Sequence, residues 1–190
     1  MKKILIIDNY DSFTYNLVQY IKELTDAAVD VVRNDQISLE EIEAYDQIVF
    51  SPGPGLPAKA GIMIEAIKKY APVKKILGVC LGHQAIGEAF GSSLKNLEKV
   101  YHGVKTPIEI IDSQDPVFKG ISPVTEVGRY HSWVIDEENL SPELKVTART
   151  KDGQIMALKH KNYKVWGVQF HPESIMTDEG KQMIKNFLEI

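Results

Sequence analysis

Ile76-Leu77-Gly78-Val79-Cys80-Leu81-Gly82-His83-Gln84 is the stretch on which the reading of the fold turns. Ile76–Val79 is a short apolar run, as expected of a strand buried on both faces. Leu81–Phe90 reads as a helix that follows it directly, so one residue, Cys80, has to make the turn. Strand, one-residue turn and helix together make the nucleophile-elbow pattern, with cysteine in the place where a hydrolase has serine. So tight a turn needs small residues on both sides, and Gly78 and Gly82 meet that need. The elbow of an open α/β sheet lies at the carboxyl ends of the strands, where ligands bind. A helix N-terminus there also favours a thiolate. The competing reading is a buried cysteine acting as a small apolar side chain.

The chain around this stretch supports an α/β class. Ile4–Ile7 reads as a strand buried on both faces, Val29–Val32 as a second strand and Ile48–Phe50 as a third. Between them, Phe13, Leu17, Ile21 and Leu24 recur at helical spacing, with Asp11 or Ser12 placed to cap. Met63, Ala66, Ile67 and Tyr70 form the next helical face. Strands alternating with helices imply a doubly wound, mostly parallel sheet with right-handed crossovers. From about Val100 to His160 the helical pattern fades. Pro107, Pro116, Pro123 and Pro142 punctuate β-rich pieces such as Ile108–Ile111 and Lys145–Thr150. No linker-like stretch separates this region, so it reads as an antiparallel excursion on the edge of one domain spanning residues 1–190. Val165–Phe170 returns as a strand. Asp178 then caps a last helix whose face is Met183, Ile184, Phe187 and Leu188.

Composition narrows the function classes. With 44% hydrophobic and 25% charged residues, the 190-residue chain is neither disordered nor collagen-like. A formal net charge of −4 without a Lys/Arg cluster argues against nucleic acid as the main partner. No apolar run is long enough to span a membrane, and MKKILIID runs into Asp8 without a cleavage site, so a cytoplasmic protein is expected. A lone cysteine can make neither an internal disulfide nor a Cys-rich zinc site, and no metal or cofactor is expected.

A thiolate nucleophile works best beside an imidazole. Of the five histidines, His171 lies in Val168-Gln169-Phe170-His171-Pro172-Glu173, at the carboxyl end of the last strand and thus on the edge that carries Cys80. Positions i and i+2 of an extended segment share a face, so Glu173 can hold one ring nitrogen of His171 and leave the other to the thiol. The result is a Cys80–His171–Glu173 triad. A zinc-deaminase reading of His-x-Glu fails because its Cys-x-x-Cys partner is missing. His83, one helical turn past Cys80, is expected to cover the elbow, and His131 is the rival base.

Ser51-Pro52-Gly53-Pro54-Gly55 follows the third strand. Gly53-x-Gly55-x-x-Ala58 fits a relaxed dinucleotide loop, but the prolines remove N–H donors and no acidic residue lies between Glu65 and Glu88. A rigid loop offering a backbone N–H as an oxyanion donor beside the N–H of Leu81 suits the elbow better. A proline-stiffened turn without chemistry stays open.

These three segments resemble those of the class I glutamine amidotransferases, in the same order and spacing, the last of them running Gly167-Val168-Gln169-Phe170-His171-Pro172-Glu173-Ser174. Asp8-Asn9-Tyr10-Asp11-Ser12-Phe13-Thr14 and Gly128-Arg129-Tyr130-His131-Ser132-Trp133 are similar to stretches of the glutaminase subunits of anthranilate and aminodeoxychorismate synthases. The resemblance implies a flavodoxin-like amidotransferase fold. It also implies that Cys80 attacks the side-chain amide of L-glutamine, that ammonia leaves, and that water then releases glutamate from a γ-glutamyl thioester. His171 would move the protons and Glu173 orient it. Gly53, Pro54, Gly55, Leu81, Gln84, Ser132 and Trp133 would form the glutamine pocket. The ammonia would pass to a chorismate-binding synthase subunit, with Asp8–Thr14 in the contact. Trp133 replaces a common leucine, and Tyr101-His102-Gly103-Val104-Lys105 is an imperfect version of a His-Gly-Lys stretch. A stand-alone γ-glutamyl hydrolase and a non-enzymatic flavodoxin-like binding module are the alternatives.

Overall fold

A computed structural model describes residues 1–190. The apolar residues of the strands alternate between two cores. Ile4 and Ile6 of β1 (Lys3–Asp8) join one core, while Leu5 and Ile7 join the other. The same alternation holds for Val49 against Ile48 and Phe50 in β3 (Gln47–Phe50), and for Leu77 and Val79 against Ile76 in β4 (Lys75–Val79). Successive side chains of a strand point to opposite faces, so a run that is apolar at every position has to be covered on both sides. α1 (Thr14–Leu24) and α4 (Gly180–Glu189) cover the first core, and α2 (Met63–Tyr70) and α3 (Leu81–Ala89) the second.

One nine-stranded sheet runs through the molecule. β2 (Ala28–Arg33) forms its edge, followed by β1, β3, β4 and β11 (Val165–Val168), all parallel. Beyond β11 the pairing turns antiparallel, through β10 (Ile155–His160), β9 (Leu144–Thr150), β6 (Val104–Ile110) and β7 (Val124–Arg129). The expected antiparallel excursion therefore extends the central sheet. A separate ribbon pairs β5 (Leu94–Asn96) with β8 (Trp133–Ile135). No helix is long and apolar enough to cross a membrane.

Several expected boundaries differ. β6 starts at Val104 and runs through Pro107, a residue expected to punctuate the β-rich pieces, and ends at Ile110 instead of Ile111. β11 stops at Val168 instead of Phe170, because its partner β4 ends at Val79 and turns into the elbow. Asp178 does not cap α4; its carboxylate pairs with Lys105 at 2.7 Å, and Glu179 flanks the helix without a side-chain cap. At α1 the capping position falls to Phe13, whose N–H donates to Asp11 Oδ2 at 3.0 Å, while Thr14 Oγ1 donates to Asp8 Oδ1.

Candidate active site

Cys80 stands alone between β4 and α3, with φ 53° and ψ −98°. For a residue with a Cβ this is a strained conformation, costing about 1–3 kcal/mol. The surroundings impose it. The Cys80 N–H donates to the Val168 carbonyl of β11 at 2.8 Å. A Cβ on Gly78 would lie 2.4 Å from the Gly82 carbonyl, and a Cβ on Gly82 would lie 2.7 Å from Phe50. The two glycines thus let strand and helix close on each other, and the strain stays with the cysteine.

His171 and Glu173 follow the end of β11. The His171 N–H donates to Gly128 O at 3.0 Å, and its carbonyl accepts from Thr177 Oγ1 at 2.6 Å. Nδ1 of His171 meets Glu173 Oε1 at 2.7 Å, and both residues are only 2% exposed. Nε2 is buried and makes no hydrogen bond in the structure, and Cys80 lies near enough to act on the charge of the ring. Burial opposes a charged imidazole here. Interactions with Cys80 and Glu173 outweigh it and raise the His171 pKa to about 10. A proton is therefore at hand beside the sulfur at neutral pH.

The other two central histidines are in different states. Nε2 of His131 accepts from Arg129 Nε at 3.1 Å, which leaves Nδ1 to donate to the Trp133 carbonyl at 2.9 Å. Both ring nitrogens are occupied, and burial, reinforced by the Arg129 charge, lowers its pKa to about 3. His83 is fully buried against Gly167, and burial lowers its pKa to about 3 as well. Burial therefore keeps both rings neutral at neutral pH.

Cys80 opens into a cavity of about 160 Å³ bounded by Gly53, Pro54 and Gly55, by Gln84, and by Tyr130 to Trp133. Of the expected pocket residues, Gly53, Pro54, Gly55, Gln84, Ser132 and Trp133 line it. Leu81 does not; it is 1% exposed and packs beneath Gly53. Larger clefts of about 430 to 490 Å³ exist elsewhere, but no cysteine lines any of them.

Asn9 positions the Pro-Gly loop. Its N–H donates to Ser51 Oγ and its Nδ2 to Ser51 O, both at 2.8 Å, while its Oδ1 accepts from Asn34. A Cβ on Gly53 would lie 2.5 Å from the Asn9 Cβ, so only glycine lets the loop approach. Gln84 Nε2 donates to Trp133 O at 2.9 Å and so ties α3 to the opposite wall.

Sequence reading gives no site role to Gln169, whose Nε2 lies 3.6 Å from Cys80 Sγ, or to Tyr130, and places Phe13 on the helical face and in the partner segment; the rings of Phe13 and Tyr130 both touch His171. The spacing that linked His171 to Glu173 also places Gln169 two residues before His171, a signal that was available. Phe13 and Tyr130 reach the site only through tertiary packing.

Comparison with known proteins agrees with this geometry. The family description "Glutamine amidotransferase class-I" matches residues 5–190. The chain is 49% identical over 98% of its length to the aminodeoxychorismate/anthranilate synthase component 2 of Bacillus subtilis, covering 95% of that protein. It is 48% identical over its whole length to the bifunctional protein TrpGD of Thermotoga maritima, of which it spans 32%. A crystal structure from Thermoplasma acidophilum, described as that of a GMP synthase subunit, superposes with a TM-score of 0.88 at 28% identity, covering 100% of this chain and 93% of the other. The chain belongs to the class-I glutamine amidotransferase family.

Proposed function

We propose that this chain is the glutaminase subunit of a chorismate-using synthase, hydrolysing L-glutamine and passing ammonia to a chorismate-binding partner for anthranilate or 4-amino-4-deoxychorismate synthesis. The observation that carries the reading is the convergence of Cys80 with the buried His171–Glu173 pair beside a cavity walled by Gly53–Gly55. The near full-length likeness to a component 2 subunit supports it.

The reaction runs as a double displacement. The Cys80 sulfur attacks the side-chain carbonyl carbon of glutamine. The oxyanion that forms is held by the N–H of Leu81 and a backbone N–H of the Pro-Gly loop, an interaction of about 3 kcal/mol per donor. The C–N bond breaks as His171 Nε2 protonates the departing nitrogen, which leaves as ammonia. Water then attacks the γ-glutamyl thioester and gives its proton to Nε2. Glutamate departs and the thiolate returns. Glu173 keeps the imidazole oriented throughout. Backbone groups of Gly53 to Gly55, with Gln84, Ser132 and Trp133, hold the amino-acid end of the substrate. No cofactor takes part. Residues 1–190 act as one unit in the cytoplasm, and Asp8–Thr14 at the catalytic edge contributes to the partner contact.

A glutamine-like affinity label tests the reading. It should modify Cys80, and glutamine should block it. Adding a chorismate-binding partner should then raise glutaminase activity and allow glutamine to replace ammonia as the nitrogen source. A folded protein that is never labelled would favour a binding module. Labelling and hydrolysis without any response to the partner would favour a stand-alone γ-glutamyl hydrolase.

A further inference from the structure

The hydrogen bond to Glu173 engages Nδ1 of His171, and two other rings pack against the same imidazole. Phe13, at the start of α1, meets the imidazole edge-on at 5.1 Å and 70°. Tyr130, just beyond β7, meets it at 4.8 Å and 59°, and the two rings touch each other at 4.8 Å and 52°. Tilted and edge-on contacts at these distances are those that aromatic quadrupoles favour. The Tyr130 ring is anchored by its hydroxyl, 3.2 Å from Ser174 Oγ, and the backbone that carries Phe13 is held by its N–H, which donates to Asp11 Oδ2 at 3.0 Å.

We infer that Phe13 is a positioning residue for His171: its ring, backed by Tyr130, holds the imidazole in the plane from which Nε2 meets the Cys80 sulfur. This gives part of the Asp8–Thr14 segment a role inside the chemistry, separate from any contact with a partner. Phe13 does not line the cavity beside Cys80. Its removal therefore acts first on how the imidazole is held, and reaches the cavity only through Tyr130, which touches Phe13 and borders the cavity. The turnover readout rests on the proposed glutaminase function, whereas the reactivity of Cys80 does not.

The test compares Phe13→Ala, Phe13→Leu and Phe13→Tyr in the full chain, with circular dichroism to verify folding. Two rates are read: glutamine hydrolysis, as kcat and KM, and alkylation of Cys80 by iodoacetamide at neutral pH. Phe13→Ala should lower kcat and the alkylation rate about tenfold, the scale of one lost ring contact, with KM within about twofold. Phe13→Leu fills most of the space without an aromatic edge and should be nearly as slow. Phe13→Tyr keeps the ring and should stay within about twofold of the parent. A leucine variant as fast as the parent in both rates, or an alanine variant changed only in KM, overturns the inference. Should the alanine variant fail to fold, the contrast between leucine and tyrosine decides. If the parent alkylates readily but hydrolyses no glutamine, the proposed function fails and the alkylation series still decides the role of Phe13.

Discussion

Glu173 Oε1 sits 2.7 Å from Nδ1 of His171, and neither side chain has more than 3% of its surface open to solvent. Buried this deeply, the carboxylate helps to set the direction in which the ring points and, together with Cys80, keeps the ring charged.

Glu173→Ala removes the orienting group but leaves the thiol and the imidazole in place. Steady-state kinetics should show kcat lowered by about 10- to 1,000-fold, less than for Cys80→Ala, because a misoriented base still samples the productive geometry. A loss equal to that of Cys80→Ala would assign the carboxylate a larger part than orientation.

Cys80→Gly separates stability from chemistry. At φ 53° a Cβ is strained and glycine is not, so the variant should unfold at a higher denaturant midpoint, by about 1 kcal/mol, while losing all glutaminase activity. An unchanged or lower midpoint would mean that the elbow relaxes in solution.

The pH profile follows from the raised pKa of His171. A group whose pKa is raised to about 10 from the ordinary 6.5 keeps its proton across the neutral range and loses it only as the pH climbs through the higher value. The same interactions stabilise the fold fully below about pH 6.5, and that contribution fades as the pH approaches 10. The alkaline limb of kcat/KM should therefore lie near pH 10. A limb near 6.5 would show that the pair with Cys80 does not hold the proton.

His131→Asn should keep measurable turnover, whereas His171→Asn should remove it. The reason is that both ring nitrogens of His131 are engaged, one by Arg129 and one by Trp133. The asparagine variant should still suffer in KM, since His131 borders the cavity. The reverse ranking of the two variants in kcat would move the base to His131.

Gly78→Ala should destabilise the fold by about 1–3 kcal/mol or more, because the new methyl group would lie 2.4 Å from the Gly82 carbonyl. Chemical denaturation gives the measurement, and a shift below a few tenths of a kcal/mol would show that strand and helix can part at little cost.

Much of this was legible in the linear chain. Ile4–Ile7, Ile48–Phe50 and Ile76–Val79 are short apolar runs, and at this length they fit strands covered on both faces. The glycines on either side of Cys80 encode the elbow, because no residue with a Cβ fits at either place. The two-residue spacing of His171 and Glu173 encodes their hydrogen bond. All of these are local, carried by residues a few positions apart.

Other features required the chain to fold back on itself. Gln169 reaches Cys80, Asn9 holds the Pro-Gly loop, and Phe13 leans on His171, each across a long separation in sequence. Such contacts leave no periodic trace, because each depends on one side chain meeting one distant surface. The ends of β11 and the start of α4 also escaped local rules. β11 stops where its neighbour turns away at the elbow. At the start of α4, Gly180 lies so close to the Pro172 carbonyl that no other residue fits. Short-range spacing thus determined the strands, the one-residue turn and the His171–Glu173 pair, while long-range packing decided which distant side chains gather around Cys80 and His171.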